Sequence, residues 1–317
     1  MQDETLKDKR LGWVGAGRMG LALATRLLDA GCDLAVYNRT RSKCEPLAER
    51  GARVVDAPAE LSDRDIVFTI VAGPDDFQQV VTGPNGLLSG PDGRTPSVVV
   101  DATTVSAEAS AKVRAEAERR GTALLAAPVS GNPKVVKAGR LTMVTSGPEH
   151  AHQAALPYLN VLAGGGVTYV GEGERARLVK VCHNLMLGII AQSLAEILVL
   201  GEKGGISRAD MMEFLNNSVL GSTFTRYKTP AYVNLDFSPT FTPPLLFKDF
   251  DLGYQAAREL GVPMPVASAA QQVVQALIGN GYTDVDFASL IELEAKASGL
   301  ELEPEGAPVS DGLDKAA

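Results

Sequence analysis

The sequence predicts an α/β fold over its first half and an all-α fold over its second, and three observations carry this reading. Residues 1–170 alternate short apolar runs with helical stretches, the pattern of a parallel sheet with crossover helices. A glycine-rich turn follows directly on the first apolar run, and after the long apolar stretch at 171–204 the strand signal disappears. The organisation expected is therefore a nucleotide-type α/β domain at 1–170, an interdomain helix at 171–204, an all-α domain at 205–300 and a tail at 301–317.

In chain order, strands are expected near 10–15, 33–37, 66–71, 97–101 and 123–127, with helices near 19–30, 42–50 and 107–120 between them. A strand at LTMVTS, a helix near 149–162 and a strand at VTYV complete the first domain. In the second, helices are expected near 207–216, 248–260, 266–280 and 287–297, the first opened by Ser207 with Asp210 in a capping arrangement. The segment ELEPEGAPVSDGLDKAA is acidic, contains Pro and Gly and lacks aromatics, so disorder is expected there.

Composition narrows the function. At 317 residues the chain can bury two cores, and 45% hydrophobic content is that of a soluble globular protein. A net charge of −8 argues against nucleic-acid binding, so an anionic ligand must meet local positive charge. The three cysteines lack metal-type spacing and their odd number suits a reduced, cytoplasmic setting; no metal site is expected. The charged start MQDETLKDKR shows no apolar leader.

The glycine-rich turn reads Gly15-Ala16-Gly17-Arg18-Met19-Gly20, a GxGxxG between a strand and a helix. In that context Gly15 allows a tight turn, Gly17 lets a pyrophosphate approach the backbone, and Gly20 lets helix and strand pack closely. This is a Rossmann dinucleotide-binding pattern. The second strand, which should end at the adenosine ribose, carries no carboxylate for a 2′-OH. It continues Asn38-Arg39-Thr40-Arg41, groups suited to a 2′-phosphate, so NADP is expected over NAD, with NAD possible.

The stretch at 171–204 runs for about eight helical turns without proline and is apolar on every face, yet it carries Lys180, His183, Asn184, Gln192 and Glu196. Those five groups argue against a bilayer span. Lys180 and Asn184 are four apart and share a helix face, placing an amine beside an amide.

Together these pieces resemble the β-hydroxyacid dehydrogenase family, which includes 3-hydroxyisobutyrate dehydrogenases and glyoxylate/succinic semialdehyde reductases, over roughly residues 10–298. Asp101-Ala102-Thr103-Thr104 resembles D-x-S-T, and Ala127-Pro128-Val129-Ser130-Gly131-Asn132, followed by Ala138-Gly139, resembles the D-A-P-V-S-G-G substrate loop. The segment 171–184 looks like G-x-G-x-x-x-K-x-x-x-N, and Lys248-Asp249-Phe250-Asp251-Leu252 is similar to K-D-L-x-L. Asn132 stands where the family has a second glycine, and His183-Asn184 replaces a frequent Asn-Asn.

The resemblance implies an NADP-dependent oxidoreductase that interconverts a small β-hydroxy acid and its semialdehyde or keto acid. It implies Lys180 and Asn184 as catalytic residues, and Ser130, Gly131, Asn132 and Thr104 as substrate contacts. For the cofactor it implies the turn 15–20, Asn38, Arg39, Thr40, Val71, Thr103 and Lys248. A lysine serves as acid/base near neutrality when burial or a cationic neighbour depresses its pKa. The helical domain is expected to close a cleft with Lys180 at the junction, and the all-round apolar helix to need a second subunit, giving a homodimer or homotetramer. No membrane partner is expected. Arg226 and Lys228 could reach a second acidic group on the substrate but read rather as surface charge, His150 and His152 as exposed, and His183 as packed beside the site. Two alternatives remain at this level: an imine reductase, against which Lys180 argues, and a non-catalytic NADP-binding module.

Overall fold

The computed structural model describes residues 4–313 and divides into two compact units, Met1–Lys180 and Val181–Ala317. In the first, β1 (Arg10–Val14), β2 (Asp33–Tyr37), β3 (Arg53–Val54), β4 (Ile66–Thr69), β5 (Val98–Asp101) and β6 (Ala123–Ala126) form a parallel sheet. Its order, β3-β2-β1-β4-β5-β6, is the doubly wound order, with a topological switch between β1 and β4. The crossovers include α1 (Arg18–Asp29), α2 (Glu45–Ala48), α3 (Pro74–Thr82) and α4 (Ala107–Arg119).

Strand alternation sorts side chains onto two faces. Leu11, Trp13, Leu34, Val36, Ile66 and Phe68 share one core with Leu23 and Leu27 of α1. Their neighbours Val14, Ala35, Val67 and Val99 share the other with Phe77 of α3 and Val113 of α4. Strands buried on both faces read as continuous apolar runs, which is how they stood out in the sequence. A smaller sheet follows, with β7 (Val129–Ser130) antiparallel and β9 (Gly166–Tyr169) parallel to β8 (Thr142–Thr145). It is joined by α5 (Pro133–Lys137) and α6 (Glu149–Leu162).

The long helix α7 (Arg175–Lys203) is unbroken. Its hydropathy and length would suit a membrane span, but 56% of its most apolar window is buried in the protein. Val181, Leu185, Leu194 and Leu198 lie in the core of the second unit. That core is completed by α8 (Arg208–Asn217), α9 (Thr223–Val233), α10 (Pro243–Leu260), α11 (Pro265–Gly279) and α12 (Leu290–Ala297). Two glycines set its spacing: a Cβ on Gly188 would lie 2.6 Å from the Phe250 ring, and one on Gly253 2.6 Å from Leu185.

Several expectations need correction. The interdomain helix is not a unit of its own, because the division falls within it, after Lys180. The tail is not disordered as far as residue 313; residues 314–317 lie outside the described residues. Glu305 accepts from the Arg208 and Ala209 N–H groups at the start of α8, at 2.6 and 3.0 Å. The Glu303 carbonyl accepts from the fully buried Arg208 guanidinium at 2.6 Å, and Asn234 and Ala307 exchange two bonds. A tail with few apolar residues is thus held by polar contacts to a buried arginine.

Lys228 is not surface charge. It sits on α9 at 2% exposure, ion-paired to Asp286, bonded to the Thr240 hydroxyl at 3.1 Å and 4.3 Å from the Phe287 ring centroid. His152 is buried rather than exposed, stacked on Tyr169 at 4.7 Å and bonded to Thr145 at 3.1 Å; His150 is exposed. Ser207 caps α8 as expected, accepting from Asp210 N at 3.0 Å.

Two stability predictions follow from these buried charges. Deleting residues 301–317 strips acceptors from Arg208 and the α8 N-terminus, and should cost about 3 kcal/mol or more in urea denaturation; an unchanged midpoint would show that the tail is not integral. For Asp286, burial raises the pKa, but the Lys228 charge and hydrogen bonds from Lys228, Thr240 and the Ala288 N–H outweigh it, so the net shift is downward. A folded pKa below the unfolded value gives stability that is present above about pH 4 and lost as pH falls through the folded value. Asp286→Asn should therefore be less stable than the parent at pH 7, and the gap should close at pH values well below 4. A gap independent of pH would refute the assignment.

Candidate active site

The predicted turn takes the geometry its glycines require. Gly15 has φ +104°, and a Cβ there would lie 2.0 Å from the Ile70 carbonyl oxygen; one on Gly20 would lie 1.9 Å from the Gly15 carbonyl oxygen. Trp13 Nε1 donates to that same carbonyl at 2.8 Å. Gly17, the N-cap of α1, has nothing within 4 Å of a Cβ position, which leaves open space over a helix N-terminus. The first turn of α1, with Arg18, Met19 and Gly20, offers helix-end N–H groups and a positive dipole end to an anion in that space. Open room at Gly17 and steric obligation at Gly15 and Gly20 fit a dinucleotide pyrophosphate.

Asn38, at the end of β2, works on the backbone: its Oδ1 accepts from Ala16 N at 2.8 Å and its Nδ2 donates to the Thr40 carbonyl at 2.9 Å. Arg39 is largely exposed and pairs with Asp76 at 2.9 Å, while Arg41 pairs with Asp56. Of the predicted group, Asn38 thus shapes the turn, and Arg39 and Thr40 are exposed beside it.

The carboxyl ends of β4 and β5 are tied by one network. Asp101 Oδ1 accepts from the Thr69 and Thr103 hydroxyls at 2.6 and 2.7 Å, and the Thr103 hydroxyl accepts from Val71 N at 3.1 Å. Thr103 is 1% exposed and its hydroxyl is engaged on both sides; Thr104, beside it, is half-buried. Sequence reasoning missed a further member, Arg177, which donates to Asp101 Oδ2 and to the Thr103 carbonyl, each at 2.6 Å.

That arginine also corrects the motif reading. Counted from Gly171, the spacing G-x-G-x-x-x-K falls on Arg177, and Lys180 stands three residues later. Arg177 is engaged with Asp101, and residue 181, four further on, is valine. Lys180, half-buried, alone keeps the four-residue spacing to an asparagine.

In the expected substrate loop, Gly131 has φ +136° and a Cβ would lie 2.8 Å from Val135. Asn132 caps α5 through Oδ1, which accepts from Val135 N at 3.1 Å, and its Nδ2 is buried with no hydrogen-bond partner among the described residues. A capping side chain is what a helix start wants here in place of glycine. Ser130 ends β7, half-buried.

In the second unit, Asn184 is 3% exposed and its Nδ2 donates to Asp249 Oδ2 at 2.5 Å. Its Oδ1 then faces His183 Nδ1 at 2.9 Å, and since an amide oxygen only accepts, that nitrogen carries the proton. His183 is exposed rather than packed. Asp249, 2% exposed, was visible in K-D-F-D-L but not recognised as the partner of Asn184. Lys248 lies in the second turn of α10, not the first, because the helix begins at Pro243; it is 3.9 Å from Asp249. Among the described residues no three His, Cys, Asp or Glu side chains gather as metal ligands.

Residues 10–171 match the family described as the NAD binding domain of 6-phosphogluconate dehydrogenase. Residues 174–293 match the NAD-binding domain of NADP-dependent 3-hydroxyisobutyrate dehydrogenase. The chain is 30% identical over 292 residues to glyoxylate/succinic semialdehyde reductase 2, chloroplastic, of Arabidopsis thaliana, covering 92% of this chain and 81% of that one. It is 29% identical over 298 residues to 2-(hydroxymethyl)glutarate dehydrogenase of Eubacterium barkeri, covering 93% and 98%. The crystal structure of 3-hydroxyisobutyrate dehydrogenase from Salmonella typhimurium shares the fold, with a TM-score of 0.80 at 24% identity over 90% of this chain and all of that one. The chain belongs to the β-hydroxyacid dehydrogenase family, as an NAD(P)-dependent oxidoreductase acting between a small β-hydroxy acid and its semialdehyde or keto acid.

Proposed function

We propose that Lys180 is the general acid/base of this reaction and that Asn184, one turn on, holds the reacting oxygen in register with it. The observation that carries the reading is the division of labour in α7: Arg177 is engaged with Asp101, whereas Lys180 shares a helix face with an asparagine oriented by Asp249. When bound, the nicotinamide supplies or accepts the hydride. Lys180 gives a proton to the carbonyl oxygen in reduction and takes it back in oxidation. Asp249 fixes the Asn184 amide, and Ser130 with the Gly131 and Asn132 backbone receives the substrate carboxylate.

The cofactor is NADP in preference to NAD. No carboxylate ends β2 to meet a ribose 2′-OH, and Arg39 stands exposed at that position. The substrate is a small anion such as an ω-carboxy aldehyde or glyoxylate, a reading supported by the 30% identity to a glyoxylate/succinic semialdehyde reductase. The protein works as a homodimer or homotetramer. Supporting this are the exposed Met186 (62%) and Leu200 (73%) of α7, with Phe214 (68%), Val219 (100%) and Leu220 (70%) in the same unit.

Steady-state NADPH oxidation with succinic semialdehyde, glyoxylate, methylmalonate semialdehyde and tartronate semialdehyde should show turnover on at least one, faster than with NADH. Lys180→Ala should lower it on the order of 10²–10⁴-fold. Activity within a few-fold of the parent in a folded Lys180→Ala variant would remove Lys180 from this role. Sedimentation equilibrium should give a multiple of the chain mass; a single-chain mass would reject the oligomer.

A further inference from the structure

Arg177 is a buried cation that the chemistry above does not use. Its side chain is 1% exposed, and that of its partner Asp101 is 0% exposed. Three hydrogen bonds to the Asp101–Ser110 segment hold the guanidinium: Asp101 Oδ2 and the Thr103 carbonyl at 2.6 Å each, and the Ser110 hydroxyl at 3.3 Å. The Phe77 ring lies 5.9 Å from its central carbon, and Glu174 Oε2 is 3.9 Å from Nε. Such a fork has its direction fixed as well as its position.

The same first turn of α7 is fastened by further bonds to the first unit. Ala176 N donates to the Ser146 hydroxyl at 2.9 Å, and that hydroxyl donates to the Gly173 carbonyl at 2.8 Å. Glu174 accepts from Arg114 Nε at 2.6 Å, and Arg114 also donates to the Gly173 carbonyl at 3.1 Å. Lys180 follows Arg177 by three residues on this helix, so the pose of the turn at Arg177 dictates where the Lys180 side chain begins.

We propose that Arg177 is a positioning residue for Lys180. By gripping Asp101 and the Thr103 carbonyl it sets the first turn of α7 against the carboxyl ends of β4 and β5, where a doubly wound sheet binds its ligand. The inference rests on the assignment of Lys180 as acid/base. A shift of about 1 Å in a catalytic group can cost on the order of 10²-fold in rate, so loosening this grip should act on turnover more than on cofactor affinity.

The test is a double-mutant cycle of Arg177→Met and Lys180→Ala, assayed with NADPH and the aldehyde of the panel above that turns over fastest. NADPH affinity is followed by fluorescence titration. Arg177→Met should lower kcat on the order of 10²-fold with NADPH affinity within about 3-fold of the parent. In the Lys180→Ala background the same change should have almost no further effect on kcat, since a residue that acts through Lys180 has nothing left to position. If Arg177→Met does not fold, Asp101→Asn/Arg177→Gln replaces it in the cycle, because it removes the ion pair without leaving a buried charge alone. A kcat within 3-fold of the parent, or an equal loss in both backgrounds, would overturn the proposal. Lys180→Ala retaining activity would instead refute the acid/base assignment itself, so the two failures are distinct.

Discussion

Asp101 ends β5 with its side chain wholly out of water, where an isolated carboxylate would be prohibitively costly. The Thr69 and Thr103 hydroxyls and the Arg177 guanidinium converge on its two oxygens. A buried pair of this kind is not evidence of extra stability, since a well-packed apolar replacement can do as well. Its consequence is geometric: three sequence-distant segments can satisfy the carboxylate only in one mutual arrangement. The strand ends, the loop carrying Thr104 and the first turn of α7 therefore form a single rigid platform. Rigid support is what a site needs when its reacting groups must be held to within fractions of an ångström.

Close backbone approach is the second constraint, and it recurs in both units. In the first, Gly20 lets α1 start against the Gly15 carbonyl; in the second, Gly188 and Gly253 let the Phe250 ring and Leu185 seat between α7 and α10. Each glycine is a place where a methyl group has no room, so each specifies a packing distance rather than flexibility. The apolar stripe that made α7 conspicuous in the sequence is explained in part by this packing. Leu185, Leu194 and Leu198 are core, while Met186 and Leu200 are exposed.

The strands were legible because both faces of a parallel sheet are apolar, and the glycine-rich turn because its residues obey steric rules that do not depend on the rest of the chain. Local patterns reported less where tertiary contacts overrode them. No helix was expected at α9, although Ser222 and Thr225 form a reciprocal cap at its start, because Pro230 and three threonines lower its propensity. Lys228 looked like surface charge, since a sequence does not display a partner carboxylate, Asp286, that lies far along the chain. The tail was misread for the same reason: low hydrophobicity signals disorder only when no buried cation awaits its carbonyls. Within the proposed site, Lys180 and Asn184 were picked out by their spacing on one helix face, and the loop at 127–132 by the family resemblance. Arg177 and Asp249 were not, because their roles are to hold other residues and appear only as contacts.

The adenosine end illustrates how a weak surface pair can still carry selectivity. Arg39 and Asp76 form an ion pair with the arginine 81% exposed, a class of pair worth about 0–1 kcal/mol. That is too little to fix the guanidinium against a competing dianion. A 2′-phosphate carries more charge than a carboxylate and meets the planar fork with two acceptors, so it can displace Asp76 at small cost. A bare 2′-OH offers no charge and leaves the pair as it is. Asn38, meanwhile, cannot swing to the ribose without releasing the Ala16 N–H and the Thr40 carbonyl that it bridges. The proposed preference for NADP therefore sets the 2′-phosphate beside two exposed arginines, Arg39 and Arg41, each paired to a carboxylate at the surface.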